Sequence, residues 1–400
     1  MAGKFVNLDP IVEKKDFCDN DFIFDVHFPA ILVDEILVEK YSRICRALSE
    51  KIANFKYVRP WKNKKRCILI PCTTDPSSIV AKLNVSGDIN EYEFLDSIPV
   101  RLTLEHMTVH ELLRAIAGDQ YYHVHAFETI GHVAHFNLKS DDDPIKYKIA
   151  KVIRLKNKCI RTVINKLTSI DDPFRKMNIE LLDGDRDFNV EIRENDCVFK
   201  FDVSQVFWNS RLESVRGYIN KSIPNKSIVL DATCGVGPFS IQLAKNRSCF
   251  VMANDLNPQC IEFLVNNAIL NSVGSSISVY NMDAHEFIKK SIFSITLNQS
   301  VPTVGDGSFK CETNKLYIIL NLPSFSLTFL KTIKDSVVES GSTVNVDIFC
   351  LFFYKCKDDL DWMEVDSFVM EYIEDSFIVD RKSFRKVSPN KFYILYVFRV

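Results

Sequence analysis

The chain has 400 residues, and its 50 Lys and Arg against 52 Asp and Glu give a formal net charge of −2. With 46% hydrophobic residues, 30 Phe and 13 Tyr, it holds enough apolar area to exclude a disordered chain, and its 12 Gly and 14 Pro exclude a collagen-like one. The length predicts two or three domains, because a single core rarely grows beyond about 250–300 residues.

The cysteines and the apolar runs indicate in which cellular compartment the protein is expected. The 12 cysteines include no C-x-x-C pair and no zinc-finger spacing, so we expect reduced thiols and no metal site. The N-terminal segment has no apolar run of the kind found in secretory signals, and it is too acidic for a mitochondrial presequence. No run approaches about 18 apolar residues, so no membrane partner is predicted. We expect a soluble protein of the cytoplasm, the nucleus or both, with an organelle matrix still open.

Residues 1–105 are predicted to form an N-terminal α+β module, with helical patterning over residues 31–53 followed by short strands such as KRCILIPC. Residues 106–204 are predicted to form a middle α+β domain. There a helix, HMTVHELLRAIAG, leads into β-rich patterning, and apolar alternation from Phe188 to Phe201 predicts a hairpin.

Three acid-free basic stretches interrupt the near-neutral composition. Residues 56–66 hold six cations, residues 145–166 hold eight and residues 381–400 hold six, whereas eight acids lie in residues 358–375. Aromatic residues accompany the cations in the first two stretches. The combination predicts a polyanion partner that contacts particular faces of the protein.

From residue 205 to residue 400, strands and helices alternate. This alternation predicts an α/β fold with a doubly wound, mostly parallel sheet. Residues 291–315 are polar and turn-rich, and they are predicted to be a surface insertion between elements.

The first strand of this last region, residues 227–234, runs directly into a glycine turn. Gly235 and Gly237 allow a tight turn and a close approach of the backbone to a ligand, and Pro238 suits the first turn of the helix that follows. The helix N-terminus offers unpaired amides to an anion. Alone, this turn is weak support for a ligand site.

Acidic residues end the next two strands. Asp255 follows Gly235 by 20 residues, where a carboxylate can accept hydrogen bonds from ribose hydroxyls, and Asp283 ends the third strand. Because ligands lie beyond the carboxyl ends of parallel strands, we expect these residues to converge on one crevice. The set predicts a nucleoside ligand, with NAD and S-adenosylmethionine both open at this point.

The fourth strand ends in Asn321-Leu-Pro323, and Ser240 stands where the dinucleotide fingerprint has its third glycine. A strand that ends in Asn-x-Pro resembles the substrate motif of methyltransferases that act on planar nitrogen. This resemblance favours S-adenosylmethionine over NAD.

Several segments occur in the order in which one enzyme family has them: FETIGHVAHFNL (127–138), Phe174-Arg175, FDVSQVFWNSRL (201–212), LDATCGVGPFSI (230–241), ANDLNP (253–258), ILNLPS (319–324) and KVSPNK (386–391). On these segments the chain resembles the archaeal–eukaryotic tRNA (guanine37-N1)-methyltransferase family. The resemblance implies a Rossmann-like class I methyltransferase domain at 205–400, an N-terminal tRNA-binding module, S-adenosylmethionine as the cofactor and tRNA as the partner. Nothing signals oligomerisation, so we expect a monomer.

The resemblance also implies roles for individual residues. Arg175 would bond the guanine O6, where charge develops when the N1 proton leaves, and Asn321 and Pro323 would orient the base. The implied cofactor contacts are Arg216, Asp255, Leu256, Asp283, Ala284 and Asn321, in addition to the turn glycines.

The sequence departs from the family after Arg211-Leu212. The family's general-base Glu falls on Val215, which cannot take a proton, and Glu213 two positions earlier is the candidate substitute. Phe207 stands where the family usually has Tyr. Two alternatives therefore stay open: a catalytically impaired tRNA-binding homologue, and a tRNA aminocarboxypropyl transferase that uses the same cofactor. His132 and His135 lack a third metal ligand, which favours a structural or RNA-contact role.

Overall fold

A computed structural model describes residues 4–14, 16–73, 75–86, 89–118, 127–138, 144–167, 178–298, 315–356 and 359–400. The chain forms two compact units. The first unit comprises Met1–Glu128, Ala134–Asn165 and Glu180–Arg186, and the second comprises Thr129–Val133, Lys166–Ile179 and Asp187–Val400. Within the described ranges, none of the helices combines the length and apolarity that a bilayer crossing requires.

The first unit begins with an antiparallel sheet in the order β2-β3-β1-β4. Its elements are α1 (Asp9–Val12), β1 (Phe24–Asp34), α2 (Val38–Leu48), β2 (Val58–Pro60), β3 (Lys65–Leu69), α3 (Pro76–Ser86) and β4 (Tyr92–Leu102). The predicted helical stretch at 31–53 was wrong over its first residues, which complete β1. The reason is that residues 28–33 are buried without interruption, so their run of apolar side chains packs on both faces of a central strand.

The next elements along the chain are α4 (Val109–Ala117), β5 (Glu128–Ile130), β6 (Val133–Phe136), α5 (Ile145–Lys156), β7 (Thr162–Lys166) and β8 (Ile179–Gly184). Thr108 caps α4, since its hydroxyl accepts the Glu111 amide while the Glu111 carboxylate accepts the Thr108 amide. The predicted helix at 106–118 is thereby confirmed. Buried side chains of α4 and α5 share one core with the sheet.

The second unit is built on a seven-stranded sheet in the order β13-β12-β11-β14-β15-β17-β16. The five strands from β13 to β15 are parallel, and β17 and β16 add an antiparallel hairpin. The elements are β9 (Asn189–Glu194), β10 (Cys197–Asp202), α6 (Glu213–Ser222), β11 (Ile228–Asp231), α7 (Ser240–Arg247), β12 (Phe250–Asn254), α8 (Pro258–Leu270), β13 (Ile277–Tyr280), α9 (Ala284–Asn298), β14 (Lys315–Leu320), α10 (Thr328–Ser340), β15 (Asn345–Lys355), α11 (Trp362–Val369), β16 (Ile378–Ser388) and β17 (Lys391–Arg399).

The expected α/β fold is confirmed, because crossover helices connect the parallel strands, and α9, α10 and α11 contribute buried side chains to one core with the sheet. The predicted hairpin at 188–202 is confirmed as β9 and β10. Two side chains of α8 hydrogen-bond backbone amides of β10. Asn267 accepts the Lys200 amide, and Asn271 accepts the Val198 amide. The hairpin thus belongs to the second unit.

The predicted insertion at 291–315 begins inside α9, which runs to Asn298, and its last residue opens β14. Ile288 and Ile292 are buried one helical turn apart, so core packing extends the helix into a segment that reads as polar overall. Residues 299–314 lie outside the described residues. The division of the chain into modules at 1–105, 106–204 and 205–400 stays a prediction.

Candidate active site

A cavity of about 790 Å³ opens at the carboxyl ends of the parallel strands of the second unit. Most of the residues that the sequence assigns to a site line it: Arg216, Gly235, Asp255, Leu256, Asp283, Ala284, Asn321 and Pro323. Gly237 and Glu213 are not on its described wall, and Arg175 lies outside the described residues. The convergence follows from the fold, since β11 to β14 all end at the same edge of the sheet.

The two turn glycines serve different purposes. Both have positive φ, +55° at Gly235 and +92° at Gly237. A Cβ on Gly237 would lie 2.4 Å from the Leu264 side chain, so this glycine lets the start of α7 pack against α8. A Cβ on Gly235 would meet nothing within 4 Å, because this residue faces the open cavity.

Backbone amides hold the two carboxylates of the cavity wall. Asp255 accepts the Gly235 amide at 2.8 Å and the Asn257 amide at 2.9 Å, one on each oxygen. Asp283 accepts the His285 amide at 2.8 Å. The two carboxylates are thus fixed acceptors of the kind that ribose hydroxyls and an exocyclic amine require. This pair of acceptors fits a nucleoside.

Asp231, at the end of β11, is a fully buried carboxyl. The Ser240 hydroxyl donates to Oδ2 at 2.6 Å, and Oδ1 has no hydrogen-bond partner among the described residues. Burial raises the pKa of Asp231 to about 7, and the nearby Asp255 carboxylate acts in the same direction. Its charge therefore changes near neutral pH.

A buried tyrosine orients the predicted substrate residue Asn321. The Tyr393 hydroxyl donates to Asn321 Oδ1 at 2.6 Å, and burial keeps the pKa of Tyr393 well above its usual value, so the phenol stays a donor. The Asn321 side-chain NH₂ is thereby directed away from Tyr393. The Pro323 carbonyl accepts the Phe353 amide at 3.2 Å, which fixes the loop that follows β14.

Arg216 reaches the cavity from α6 as half of a buried ion pair. Its Nε and Nη2 each donate to Glu194 at 2.5 Å, and Gln242 donates to the same carboxylate at 2.9 Å. The guanidinium lies 4.8 Å from the centre of the Trp208 ring. Its charge is thus compensated, and its contacts join the β9–β10 hairpin to the cavity wall.

Known relatives share this arrangement of sequence and fold. The TRM5/TYW2 methyltransferase domain family matches residues 190–304, and the TYW2 N-terminal domain family matches residues 109–187. The tRNA (guanine(37)-N(1))-methyltransferase of Trichomonas vaginalis is 33% identical over 344 residues, which cover 86% of this chain and 84% of the relative. The enzyme of that name from Batrachochytrium dendrobatidis is 31% identical over 386 residues, covering 85% of this chain and 78% of the relative.

The chain belongs to the tRNA (guanine(37)-N(1))-methyltransferase family. Solved structures agree in fold. The crystal structure of Trm5b from Pyrococcus abyssi covers 93% of this chain and 99% of its own, with 19% identity and a TM-score of 0.61. The complex structure of aTrm5 and tRNALeu covers the same shares, with 18% identity and a TM-score of 0.66. The predicted family and its methyltransferase fold are confirmed.

The departure from the family pattern has a clear structural setting. Val215 is completely buried in α6, so position 215 presents no proton acceptor to the cavity. Glu213 is exposed on the first turn of the same helix, and it is not on the described cavity wall. Its role as general base stays a prediction.

Three cavity residues were not singled out from the sequence: Phe325, Tyr393 and Arg385. Phe325 is 55% exposed and Phe207 is 40% exposed, so two aromatic rings lie open on the wall. Tyr393 and Arg385 also line it. Arg385 directly precedes the KVSPNK segment, which was a usable signal, whereas Tyr393 reads as one more apolar residue of an alternating strand.

The basic stretch at 145–166 is largely compensated within the first unit. Lys146 is 4% exposed and pairs with Glu180 at 2.9 Å, Arg154 pairs with Asp183, and Lys156 donates to two backbone carbonyls. The sequence prediction that this stretch as a whole attracts a polyanion was too broad. An acid-free segment can still find acids elsewhere in the fold.

The two histidines that the sequence singled out have separate partners. His132 lies 3.4 Å from the Asp187 carboxylate, and His135 lies 3.7 Å from Glu128. No group of three metal-ligating side chains occurs in the described part of the chain.

Proposed function

We propose that this chain transfers a methyl group from S-adenosylmethionine to N1 of guanine 37 in tRNA. One observation carries the proposal: a single cavity joins the fixed carboxylates at the ends of β12 and β13 to the Asn321-Leu-Pro323 segment after β14. A nucleoside cofactor and a target base can therefore lie in one continuous space. Relatives named for this reaction support the assignment.

The residues at the β12 side of the cavity fit the cofactor. Asp255 and Asp283 would accept hydrogen bonds from its nucleoside part, with Leu256 and Ala284 beside them, and Gly235 leaves room for a close approach. Arg216 would support this side of the cavity through its pair with Glu194. When bound, S-adenosylmethionine supplies a methyl group on a positively charged sulfur.

The residues beyond Asn321 fit a purine. The exposed rings of Phe207 and Phe325 offer faces on which a base extruded from RNA can stack. Asn321, held by Tyr393, would hydrogen-bond the base edge with its free NH₂ group. Arg175 would stabilise the charge that develops on O6 when the N1 proton leaves, and Glu213 stays the candidate for taking that proton.

We propose residues 1–105 as a tRNA-binding module, residues 106–204 as a connecting domain and residues 205–400 as the catalytic domain. The exposed Trp61 and the neighbouring cations Lys62 and Lys64, which form no ion pair with the described residues, support an RNA contact by the first module. Action as a monomer in the cytoplasm, the nucleus or both stays a prediction.

A matched pair of RNAs tests the function. Purified protein is incubated with methyl-labelled S-adenosylmethionine and an unmodified tRNA transcript, and in parallel with the same transcript carrying adenine at position 37. The proposal expects label in the first RNA and none in the second. Equal labelling of both RNAs would refute guanine 37 as the site of methylation. Tight tRNA binding without label would favour the catalytically impaired homologue that Val215 suggests.

A further inference from the structure

Arg385 is an uncompensated cation on the wall of the cavity. It is half-buried, and among the described residues it has no ion pair or hydrogen bond. Arg216, which lines the same cavity, differs because Glu194 neutralises it. A partly desolvated guanidinium without a carboxylate partner is costly, and a ligand that supplies a negative charge removes this cost.

The sheet order places Arg385 at the end of the cavity remote from the carboxylates. Its strand β16 is the seventh in the sheet, whereas Asp255 follows the second, and five strand spacings of about 4.8 Å separate them by about 24 Å. Arg385 faces Tyr393 across the β16–β17 ladder, and Tyr393 holds Asn321. The Arg385 side of the cavity therefore lies beyond Asn321, where the proposed function puts RNA.

Other cations accompany Arg385 along strand β16. The register of β16 shifts between Ser383 and Arg385, and such a bulge redirects the side chains that follow. Lys382 and Lys386 on the same strand are exposed, and neither forms an ion pair with a residue in the described ranges. The edge strand thus carries two exposed lysines near Arg385, Lys382 over the Tyr218 ring and Lys386 over the Phe392 ring.

A phosphate suits this position better than a base edge does. When a base enters a pocket, its sugar-phosphate backbone stays at the mouth. Arg385 is only half-buried and is flanked along its strand by exposed lysines, which is the setting of a backbone contact. Its planar guanidinium can bind two phosphate oxygens at once.

We infer that Arg385 binds a backbone phosphate of the RNA beside the target nucleotide and so positions the base at Asn321. This inference rests on the proposed function, because it takes the target base to lie in the cavity. The chemical class of the ligand is an RNA phosphodiester.

Steady-state kinetics and direct binding of tRNA at several salt concentrations test the inference on Arg385→Gln and Arg385→Lys. For the Gln variant we expect the KM for tRNA to rise roughly tenfold, kcat to stay within about twofold, and the salt slope of tRNA affinity to fall by about 1. Arg385→Lys keeps the charge, so its salt slope stays as in the wild type. Lys289→Gln, an exposed substitution on α9, is the matched control and leaves all three values unchanged.

Three results would overturn the inference. A lower kcat with a shifted pH profile and an unchanged KM for tRNA would place Arg385 on the base edge. A raised KM for S-adenosylmethionine alone would place it on the cofactor, and unchanged constants would leave it without a ligand. If the Gln variant fails to fold, Arg385→Met, which keeps the aliphatic stem and removes the charge, is measured in its place: a salt slope lower by about 1 supports the phosphate contact, and an unchanged slope refutes it. Wild-type tRNA binding without methyl transfer would defeat the proposed function, yet the salt slope would still test Arg385.

Discussion

Removal of the Glu194 carboxylate leaves the buried Arg216 without its counter-charge. The side chains of Glu194 and Arg216 are only 4% and 2% exposed, and Gln242 completes the set of hydrogen bonds to the carboxylate. In Glu194→Ala, the guanidinium stays in an apolar setting beside Trp208 with one remaining carbonyl acceptor, Asn209 at 3.3 Å. The unpaired charge should cost the protein about 3–5 kcal/mol of unfolding free energy.

The double variant Glu194→Leu/Arg216→Met distinguishes loss of pairing from loss of packing. It removes both charges and keeps apolar volume, so we expect it to recover most of the stability that the single variant loses. Urea unfolding followed by tryptophan fluorescence measures both, since Trp208 lies under the guanidinium. Arg193→Ala, on the same hairpin in an exposed pair with Glu191, is the control and should leave the midpoint unchanged.

Two results would refute the predicted cost of an unpaired Arg216. One is a loss of less than about 1 kcal/mol of unfolding free energy in Glu194→Ala, and the other is a double variant no more stable than the single one. Either result would mean that water reaches the Arg216 guanidinium in the folded protein.

Three other substitutions have definite expected outcomes. In the unfolded chain Asp231 ionises above its usual pKa of 3.8, but in the folded protein it keeps its proton until about pH 7, so stability is lost as the pH rises between these values. Asp231→Asn should lack this loss, which amounts to about 4 kcal/mol, and the difference in unfolding free energy between wild type and variant at pH 4 and pH 7 measures it. Gly237→Ala should lower stability by roughly 1–3 kcal/mol in thermal or urea unfolding, because its φ is +92° and its Cβ would meet Leu264. Glu213→Gln should lower kcat by about 100-fold, because Glu213 is the proposed acceptor of the N1 proton.

Each of these has its own check. A pH-independent stability difference for Asp231→Asn would show that the buried carboxyl is ionised throughout. Gly217→Ala is the control for Gly237→Ala, since its Cβ would meet nothing within 4 Å, and equal effects of the two would refute the packing role. A kcat of Glu213→Gln within about twofold of the wild-type value would remove Glu213 as the general base.

The sequence predicted the cavity well because its key residues follow strand ends. Asp255 and Asn321 come directly after apolar strands, and Asp283 follows the end of β13 by three residues. Parallel strands that share a sheet bring such positions to one edge. The spacing of these residues was therefore enough to place them together. No side-chain contact had to be known to predict that these residues lie at one edge of the sheet.

The supporting contacts could not be predicted, since they join residues that are distant in the chain. Tyr393 and Asn321 are 72 residues apart, and the hydrogen bond between them depends on β17 lying two strands from β14. The ion pair of Lys146 with Glu180 likewise has no local pattern. The sequence shows that each basic stretch carries positive charge. Only the folded structure shows which of its cations lack an acidic partner.

Nucleoside analysis of the tRNA product tests the central claim most directly. The wild-type protein is incubated with unmodified tRNA and S-adenosylmethionine carrying separate labels in its methyl group and in its amino-acid carboxyl group. We predict 1-methylguanosine at position 37 that carries only the methyl label. Unmodified tRNA after prolonged incubation, or a product that carries the carboxyl label, would contradict it, the second by showing aminocarboxypropyl transfer in place of methylation.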